Sequence, residues 1–195
     1  MSEVVRSFIS VKMPPEAIER LREAQDRLRA AEREWKWVNP ESFHITLKFL
    51  GDVELGNLAG VWESVRARIA GCAAFTMVLH GLGVFPDLER PRVAWAGIDR
   101  GAAEITGLAE RVEAACESAG FPRERRPFAA HLTLGRARQL GPSAALAGAI
   151  REMAEADLGE VRVDRVLLMK SELTPAGAVH GVLEEQLLNH GEKTG

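Results

Sequence analysis

The spacing of apolar positions along the chain predicts both strands and helices. A period of two, or a short apolar run between turn residues, predicts strands in VVRSFISVKMP, SFHITLKFLGD, AAFTMVLHGLGVF, PRVAWAGI, FAAHLTLGR, GEVRVDRVLLMKSEL and AVHGVLEEQLLN. Helical spacing predicts four helices, in PPEAIERLREAQDRLRAAER, LGNLAGVWESVRARIAG, AAEITGLAERVEAACESAG and PSAALAGAIREMAEAD. Strands and helices in this order predict an α+β fold, with a mostly antiparallel sheet and helices on its outer faces.

The second of these strands, SFHITLKFLGD, places unusual chemistry on its polar face. We expect its core-facing side to carry the four apolar residues Phe43, Ile45, Leu47 and Phe49. The opposite face then carries His44, Thr46 and Lys48. A solvated strand has no need of a histidine beside a threonine, so this face is a candidate site.

A very similar strand occurs later in the chain. His131-Leu-Thr133-Leu matches His44-Ile-Thr46-Leu, at a separation of 131 − 44 = 87 residues. Helices flank both strands, which indicates an internal duplication. Each pair puts one imidazole and one hydroxyl on the same sheet face, about 6.5–7 Å apart along the strand. If the halves pack about a pseudo-twofold axis, the two pairs face each other across a cleft.

Two imidazoles and two hydroxyls around one space suit acid–base chemistry on a phosphodiester. Histidine titrates near neutrality, so one neutral ring can accept a proton while a protonated ring donates one. The hydroxyls of Thr46 and Thr133 can bind phosphoryl oxygens. Arg126 and Arg136, which flank the second motif, are candidates for stabilising charge in the transition state. Neither motif has clustered carboxylates, so we expect no metal and no cofactor.

Composition narrows the functional classes further. The chain has 195 residues, 46% of them hydrophobic, and a net charge of −3, which predicts one folded domain without a global basic field. A local excess of arginine occurs around the second motif, in FPRERRPFAAHLTLGRAR. Two cysteines, no signal peptide and no long apolar run predict a cytoplasmic protein that does not enter a membrane.

At these motifs the sequence resembles the two-histidine phosphoesterases, in particular the LigT-like RNA 2′,3′-cyclic phosphodiesterases, also called 2′-5′ RNA ligases. The resemblance rests on FHITLKFLG and RPFAAHLTLGR, with support from RSFISVKMP, GLGVFPDLERPRVAWAGI and SEL. It implies two similar lobes with the active cleft between their sheets, formed by residues 1–195 as a single domain. It also implies hydrolysis of a 2′,3′-cyclic phosphate to a 2′-phosphate, with His44 as proton donor and His131 as proton acceptor.

Some features depart from the family pattern, and some alternatives stay open. Ala130 stands where a proline often precedes the second histidine, and His180 lies near the place of a common closing-strand aromatic. The sequence does not distinguish an RNA end from a small cyclic nucleotide as substrate. A non-catalytic module that binds RNA ends and a 2′-5′ ligase running the reverse reaction are the alternative functions. We expect a monomer.

Overall fold

The computed structural model describes residues 3–139, 141–174 and 177–189. The strands are β1 (Val4–Lys12), β2 (Lys36–Trp37), β3 (His44–Glu54), β4 (Phe75–Phe85), β5 (Val93–Ile98), β6 (His131–Arg136), β7 (Asp157–Val163), β8 (Arg165–Thr174) and β9 (Gly177–Leu187). The helices are α1 (Pro15–Ala31), α2 (Leu55–Ile69), α3 (Ala102–Ser118) and α4 (Ala144–Glu152), with a single 3₁₀ turn at Pro40–Ser42.

The strands form two separate sheets. The first has the order β3-β1-β8-β9 and the second the order β2-β6-β5-β4-β7. Neighbouring strands run antiparallel throughout both sheets. The predicted α+β class with antiparallel sheets is therefore confirmed, and the two histidine motifs lie on β3 and β6, one in each sheet.

The two halves of the sequence are interleaved in space. Helix α1 follows β1 of the first sheet but packs on β6 and β7 of the second, and α3 follows β5 of the second sheet but packs on β3 of the first. Strand β4, from the first half of the sequence, is in the second sheet, and β8, from the second half, is in the first sheet. This exchange favours a single folding unit over residues 1–195, and that domain assignment remains our prediction.

Helix α1 shows how sequence and packing are connected. It begins at Pro15, a residue that suits the first helical position because it has no amide hydrogen to satisfy. One polar residue, Gln25, is fully buried within its apolar stripe. Its Nε2 donates hydrogen bonds to the carbonyl oxygens of Val38, at 2.7 Å, and Leu134, at 2.9 Å. The rest of the buried stripe is apolar: Ala17, Ile18, Leu21, Ala24 and Leu28.

The predicted elements differ from the structure at the end of the chain. The segment GEVRVDRVLLMKSEL, predicted as one strand, forms β7 in the second sheet and β8 in the first, with Asp164 between them. Apolar residues on both sides of Asp164 are buried in either sheet, so the apolar pattern carried no sign of the crossing. Strand β2 and the 3₁₀ turn were not predicted. The predicted polar tail lies outside the described residues from position 190 onward.

In the part of the chain that the structure describes, no helix combines the length and the apolar character needed to cross a membrane.

Candidate active site

A β-bulge on β3 changes which side chains face the cleft. Thr46 pairs with Ser10 of β1, but Lys48 pairs with the preceding residue, Ile9, so Leu47 is an extra residue in the register. A bulge of this kind shifts the alternation of the residues that follow it. Lys48 is consequently only 3% exposed, whereas Phe49 is 56% exposed. The predicted inward position of Phe49 is wrong for this reason, while the inward positions of Phe43, Ile45 and Leu47 are confirmed.

Strand β6 carries the equivalent bulge. Thr133 pairs with Trp95 of β5 and Gly135 pairs with the preceding residue, Ala94, so Leu134 is the extra residue. Arg136 then pairs with Val93, two residues from Trp95, and returns to the face of Thr133. The bulge therefore directs the arginine five residues after His131 toward the same cleft as the histidine.

Both motif histidines are held in the same way. His44 Nδ1 lies 2.7 Å from the carbonyl oxygen of Ser42, and His131 Nδ1 lies 2.7 Å from the carbonyl oxygen of Ala129. A carbonyl only accepts, so Nδ1 is assigned the hydrogen and Nε2 is the free nitrogen of the neutral ring. Strands β3 and β6 contact each other although they belong to different sheets. The two strands that carry the free nitrogens are therefore neighbours across the boundary between the sheets.

A third histidine packs against the first. His180 of β9 makes an edge-on contact with His44 at 5.3 Å between ring centroids, and Phe8 contacts both rings, at 4.8 Å from His44 and 5.0 Å from His180. Sequence reasoning noted His180 as standing near the place of a common closing-strand aromatic but did not include it among the site residues. No local pattern could have done so, because β9 reaches β3 only through β8 and β1.

The surroundings of His131 are aromatic as well. Phe85 makes an edge-on contact with His131 at 5.1 Å and packs at the same distance against Trp95. The indole of Trp95 lies flat over β4, where a Cβ on Gly83 would come within 2.2 Å of it. Each motif histidine thus stands against an aromatic wall, and Trp95 can lie across its sheet only because Gly83 has no side chain.

The pKa values of the site histidines are lowered in the free protein. Burial lowers the pKa of His44 to about 4, with smaller contributions from the nearby charges of His180 and Arg136 and an opposing one from the Ser42 carbonyl. Burial also lowers the pKa of His131, again with Arg136 contributing and the Ala129 carbonyl opposing. The positive charge of Arg136 thus contributes to lowering the pKa of both rings.

The two candidate arginines occupy different positions. Arg136 is on the cleft face of β6. Arg126 lies in the loop before β6 and lines an open groove together with Phe49. Only Arg136 is therefore in electrostatic contact with the two histidines.

A buried ion pair, missed in the sequence, fixes that loop to β3. Lys48 Nζ donates to Glu113 Oε1 and to the carbonyl oxygen of Pro122, both at 2.8 Å. The amide of Glu124 donates to the same Glu113 oxygen, at 2.9 Å. Since Lys48 is buried by the bulge at Leu47, the structural feature that exposes Phe49 also creates this anchor. A lysine followed directly by a phenylalanine, after three apolar–polar alternations, was the available signal.

Polar atoms on the cleft faces of the sheets lack partners within the protein. Among the described residues, buried side-chain atoms without a hydrogen bond include Ser10 Oγ, Trp95 Nε1 and His180 Nδ1. Ser10 and Trp95 are the cross-strand neighbours of Thr46 and Thr133. A fourth such atom, Nε1 of Trp62, lies on the buried face of α2, so the unsatisfied groups are not confined to the cleft. Within the described ranges, no three His, Cys, Asp or Glu side chains come together as a metal site would require.

The doubled motif and its cleft correspond to a known family. A sequence model of the LigT like Phosphoesterase family matches residues 11–95 and 97–180. The chain belongs to this family. It is 34% identical to the RNA 2′,3′-cyclic phosphodiesterase of Methanothermobacter thermautotrophicus over 180 residues, covering 92% of this chain and 97% of that protein. It is 32% identical to the protein of the same name from Aquifex aeolicus, covering 94% and 97%.

A solved structure shows the same fold for this LigT-like chain. The crystal structure of the protein TT0787 from Thermus thermophilus superposes with a TM-score of 0.79 at 32% identity, covering 95% of this chain and 99% of the other. The likeness extends over both sheets. It confirms the bilobal architecture that the resemblance implied.

Proposed function

We propose that this protein is an enzyme that hydrolyses 2′,3′-cyclic phosphate ends of RNA to 2′-phosphates by two-histidine acid–base catalysis. The observation that carries the proposal is the matched pair of histidines, each with Nδ1 held by a backbone carbonyl and Nε2 free. The name shared by the relatives from Methanothermobacter and Aquifex supports the substrate class.

The reaction needs one proton accepted and one donated. Nε2 of neutral His131 takes a proton from water as the water oxygen bonds to phosphorus. Protonated His44 gives its Nε2 proton to the 3′ oxygen as the bond between phosphorus and that oxygen breaks. The product carries a 2′-phosphate and a free 3′ hydroxyl. Each histidine ends in the other's starting protonation state, and exchange of protons with solvent resets the pair.

Three further residues hold the phosphate in this scheme. The hydroxyls of Thr46 and Thr133, on the same faces as the histidines, donate to non-bridging oxygens. Arg136 stabilises the negative charge that grows on those oxygens in the transition state. Arg126 is set back in the neighbouring groove, and a direct role for it at the cyclic phosphate remains a prediction.

The free protein holds both histidines neutral near pH 7, since both pKa values are lowered. His44 therefore gains its proton only when the bound phosphate brings a negative charge close to its ring, which raises its pKa. Substrate binding and donor protonation are coupled in this proposal.

Product analysis tests the function directly. We expect the protein to convert an RNA oligonucleotide with a 2′,3′-cyclic phosphate into one with a 2′-phosphate, in EDTA. A 3′-phosphate would reverse the leaving-group assignment, and an intact substrate would favour the non-catalytic binding module. Joining of the cyclic end to an added RNA with a free 5′ hydroxyl would show the ligase reaction.

We also propose that the enzyme acts as a monomer in the cytoplasm without a cofactor. Both motif strands come from one chain, so the cleft needs no second copy for its histidines. Cys72 and Cys116 are free thiols, as expected in a reducing compartment.

A further inference from the structure

An open groove of about 500 Å³ lies beside β3, outside the histidine pair. Its walls are the segment from Lys48 to Leu50 and the loop from Phe121 to Arg126, which leads into the second motif. The volume is within the range of small-ligand sites. Neither His44 nor His131 lines it, so the mechanism above gives this groove no role.

The groove has a positive charge that the ion pairs of the protein do not cancel. Lys48 is neutralised by Glu113 at 2.8 Å, and Arg123 pairs with Glu117 at 3.1 Å. The carboxylate of Glu124 also lines the groove, 3.9 Å from Lys48 Nζ, so the arginines exceed the remaining acid by one charge. Among the described residues, no carboxylate lies within ion-pairing distance of Arg125 or Arg126, and both side chains are exposed. A chain with a net charge of −3 thus presents two free guanidinium groups at one place.

An exposed aromatic ring joins this charge to the cleft. Phe49 lines the groove and is 56% exposed, yet it stands on the same face of β3 as Thr46 and contacts Phe8 at 6.2 Å. Phe8 in turn contacts His44. The groove is therefore continuous with the catalytic face, and Phe49 stands at the junction.

The wall of the groove is fixed before any ligand binds. Glu113 Oε1 accepts hydrogen bonds from Lys48 Nζ and from the amide of Glu124, and Lys48 also bonds the Pro122 carbonyl. These bonds attach the arginine-bearing loop to β3. A site that is ordered in advance loses less entropy when it binds a ligand.

We propose that this groove binds the RNA chain on the 5′ side of the cyclic phosphate. A 2′,3′-cyclic phosphate ends the strand, so the only nucleotides that can extend from the cleft are upstream ones. Phe49 stacks on the base of the nucleotide next to the cyclic-phosphate end. Arg125 and Arg126 bind the phosphodiesters on the 5′ side of that nucleotide. An exposed aromatic beside unpaired guanidinium groups is the arrangement by which proteins bind single strands without reading their sequence. This inference rests on the proposed function, because it extends the substrate of the same cleft.

The test compares two substrates that share the reacting end. The kcat/KM is measured for a mononucleoside 2′,3′-cyclic phosphate and for a hexanucleotide with the same terminal nucleotide. We expect wild type to prefer the hexanucleotide by 10-fold or more, and the Arg125→Gln/Arg126→Gln variant to lose most of that preference. For the hexanucleotide, the slope of log(kcat/KM) against log of the salt concentration should become shallower by about 1.4 in this variant. That is the value for two lost contacts with single-strand phosphates. Arg151→Gln/Arg162→Gln removes the same charge from exposed positions in α4 and β7 and should retain the preference.

A binding assay separates this inference from the proposed function. In a His44→Ala/His131→Ala background, fluorescence anisotropy reports the affinity for a hexanucleotide with a 2′-phosphate end. We expect Arg125→Gln/Arg126→Gln to weaken binding at least 10-fold and Phe49→Ala to weaken it about 10-fold, the lower part of the range for one stacked base. Equal kcat/KM for the two substrates in wild type, or unchanged hexanucleotide affinity in the arginine variant, overturns the inference even if the hydrolysis is established. Absence of hydrolysis by wild type overturns the proposed function and leaves the binding result to decide the groove.

Discussion

The two motif strands are alike up to their bulges and differ immediately after them. Both hold a histidine through a 2.7 Å contact between Nδ1 and the carbonyl two residues earlier, and both have their extra residue directly after the threonine. The next two residues are Lys48 and Phe49 in β3, but Gly135 and Arg136 in β6. The symmetric part carries the two histidines proposed to transfer protons, and the asymmetric part determines which side chains surround them.

This difference separates two requirements of the site. The proposed proton transfer needs one nitrogen that accepts and one that donates, and the duplicated motif supplies both. In the proposed mechanism Arg136 stabilises the phosphate charge from one side, while Phe49 at the corresponding position lines the groove proposed for the rest of the substrate. One bulge thus presents charge to the reacting group, and the other presents an aromatic ring beside it.

Each bulge is also fixed by a helix from the other half of the sequence. Gln25 of α1 donates to the carbonyl of Leu134 at the β6 bulge, and Glu113 of α3 pairs with Lys48 at the β3 bulge. The exchange of helices between the sheets therefore attaches each motif strand to the half of the chain that carries the other motif.

The largest effect should come from the symmetric part. His44→Ala and His131→Ala should each lower kcat by roughly 10²- to 10⁴-fold, because each removes a general acid or base. Rates are measured on a cyclic-phosphate substrate with circular dichroism as a check on folding. His80→Ala, in β4, is the comparison for loss of a histidine outside the motifs, since His80 makes no ring contact with His44 or His131 among the described residues and Gly97 separates it from His131 in the sheet. Near-wild-type turnover by either motif variant would break the equivalence of the two strands.

The next largest effect on kcat is expected from Arg136, which follows the bulge of β6 and has no equivalent in β3. Arg136→Gln should lower kcat by about 10²-fold, because it removes a charged donor aimed at the developing negative charge. Arg138→Gln removes an equal charge two residues further on, beyond the end of β6, and should change kcat less than twofold. A similar loss in both variants would mean that general positive potential, and not the bulge-directed position of Arg136, supports the reaction.

Local periodicity was sufficient to locate the helices, most strands and both motifs, because those depend on residues close in sequence. It failed at Phe49, where a bulge that is visible only in pairing with β1 reverses the alternation. It failed again at Asp164, where the chain changes sheets within a continuous apolar pattern. His180 was missed because it joins the site through three strand pairings, which no spacing along the chain encodes.

The anchor of the β3 bulge predicts a measurable change in stability. Glu113→Ala should reduce the free energy of unfolding by about 3 kcal/mol, since it leaves the buried Lys48 ammonium without its nearest counter-charge. Urea denaturation measures this change. The double variant Lys48→Met/Glu113→Leu should be less destabilised than Glu113→Ala, because a buried ion pair is replaced by apolar packing. A double variant as unstable as the single one would contradict an electrostatic origin.

The anchor of the β6 bulge should contribute less. Gln25→Leu should cost about 1–2 kcal/mol, because the Val38 carbonyl loses its side-chain donor while the Leu134 carbonyl keeps the amide of Val38 at 2.9 Å. Comparing its urea midpoint with that of Glu113→Ala ranks the two anchors. A loss as large as that of Glu113→Ala would mean that a neutral amide fixes its bulge as strongly as the ion pair.

The smallest effect concerns the protonation states of the two histidines and the pH dependence that follows from them. Both pKa values lie below 6.5 in the free protein, with that of His44 near 4, so kcat/KM should be maximal on the acid side of pH 6.5. The negative charge of the bound phosphate raises the pKa of the donor, so the maximum of kcat should lie at higher pH than that of kcat/KM.

Nuclear magnetic resonance titration of the two rings, with and without a 2′-phosphate nucleotide, identifies which histidine takes up the proton. An upward shift confined to His44 supports its role as donor. An upward shift confined to His131 would exchange the two roles, and the position of Arg136 on β6 would then place the strongest phosphate ligand on the strand of the acid rather than of the base.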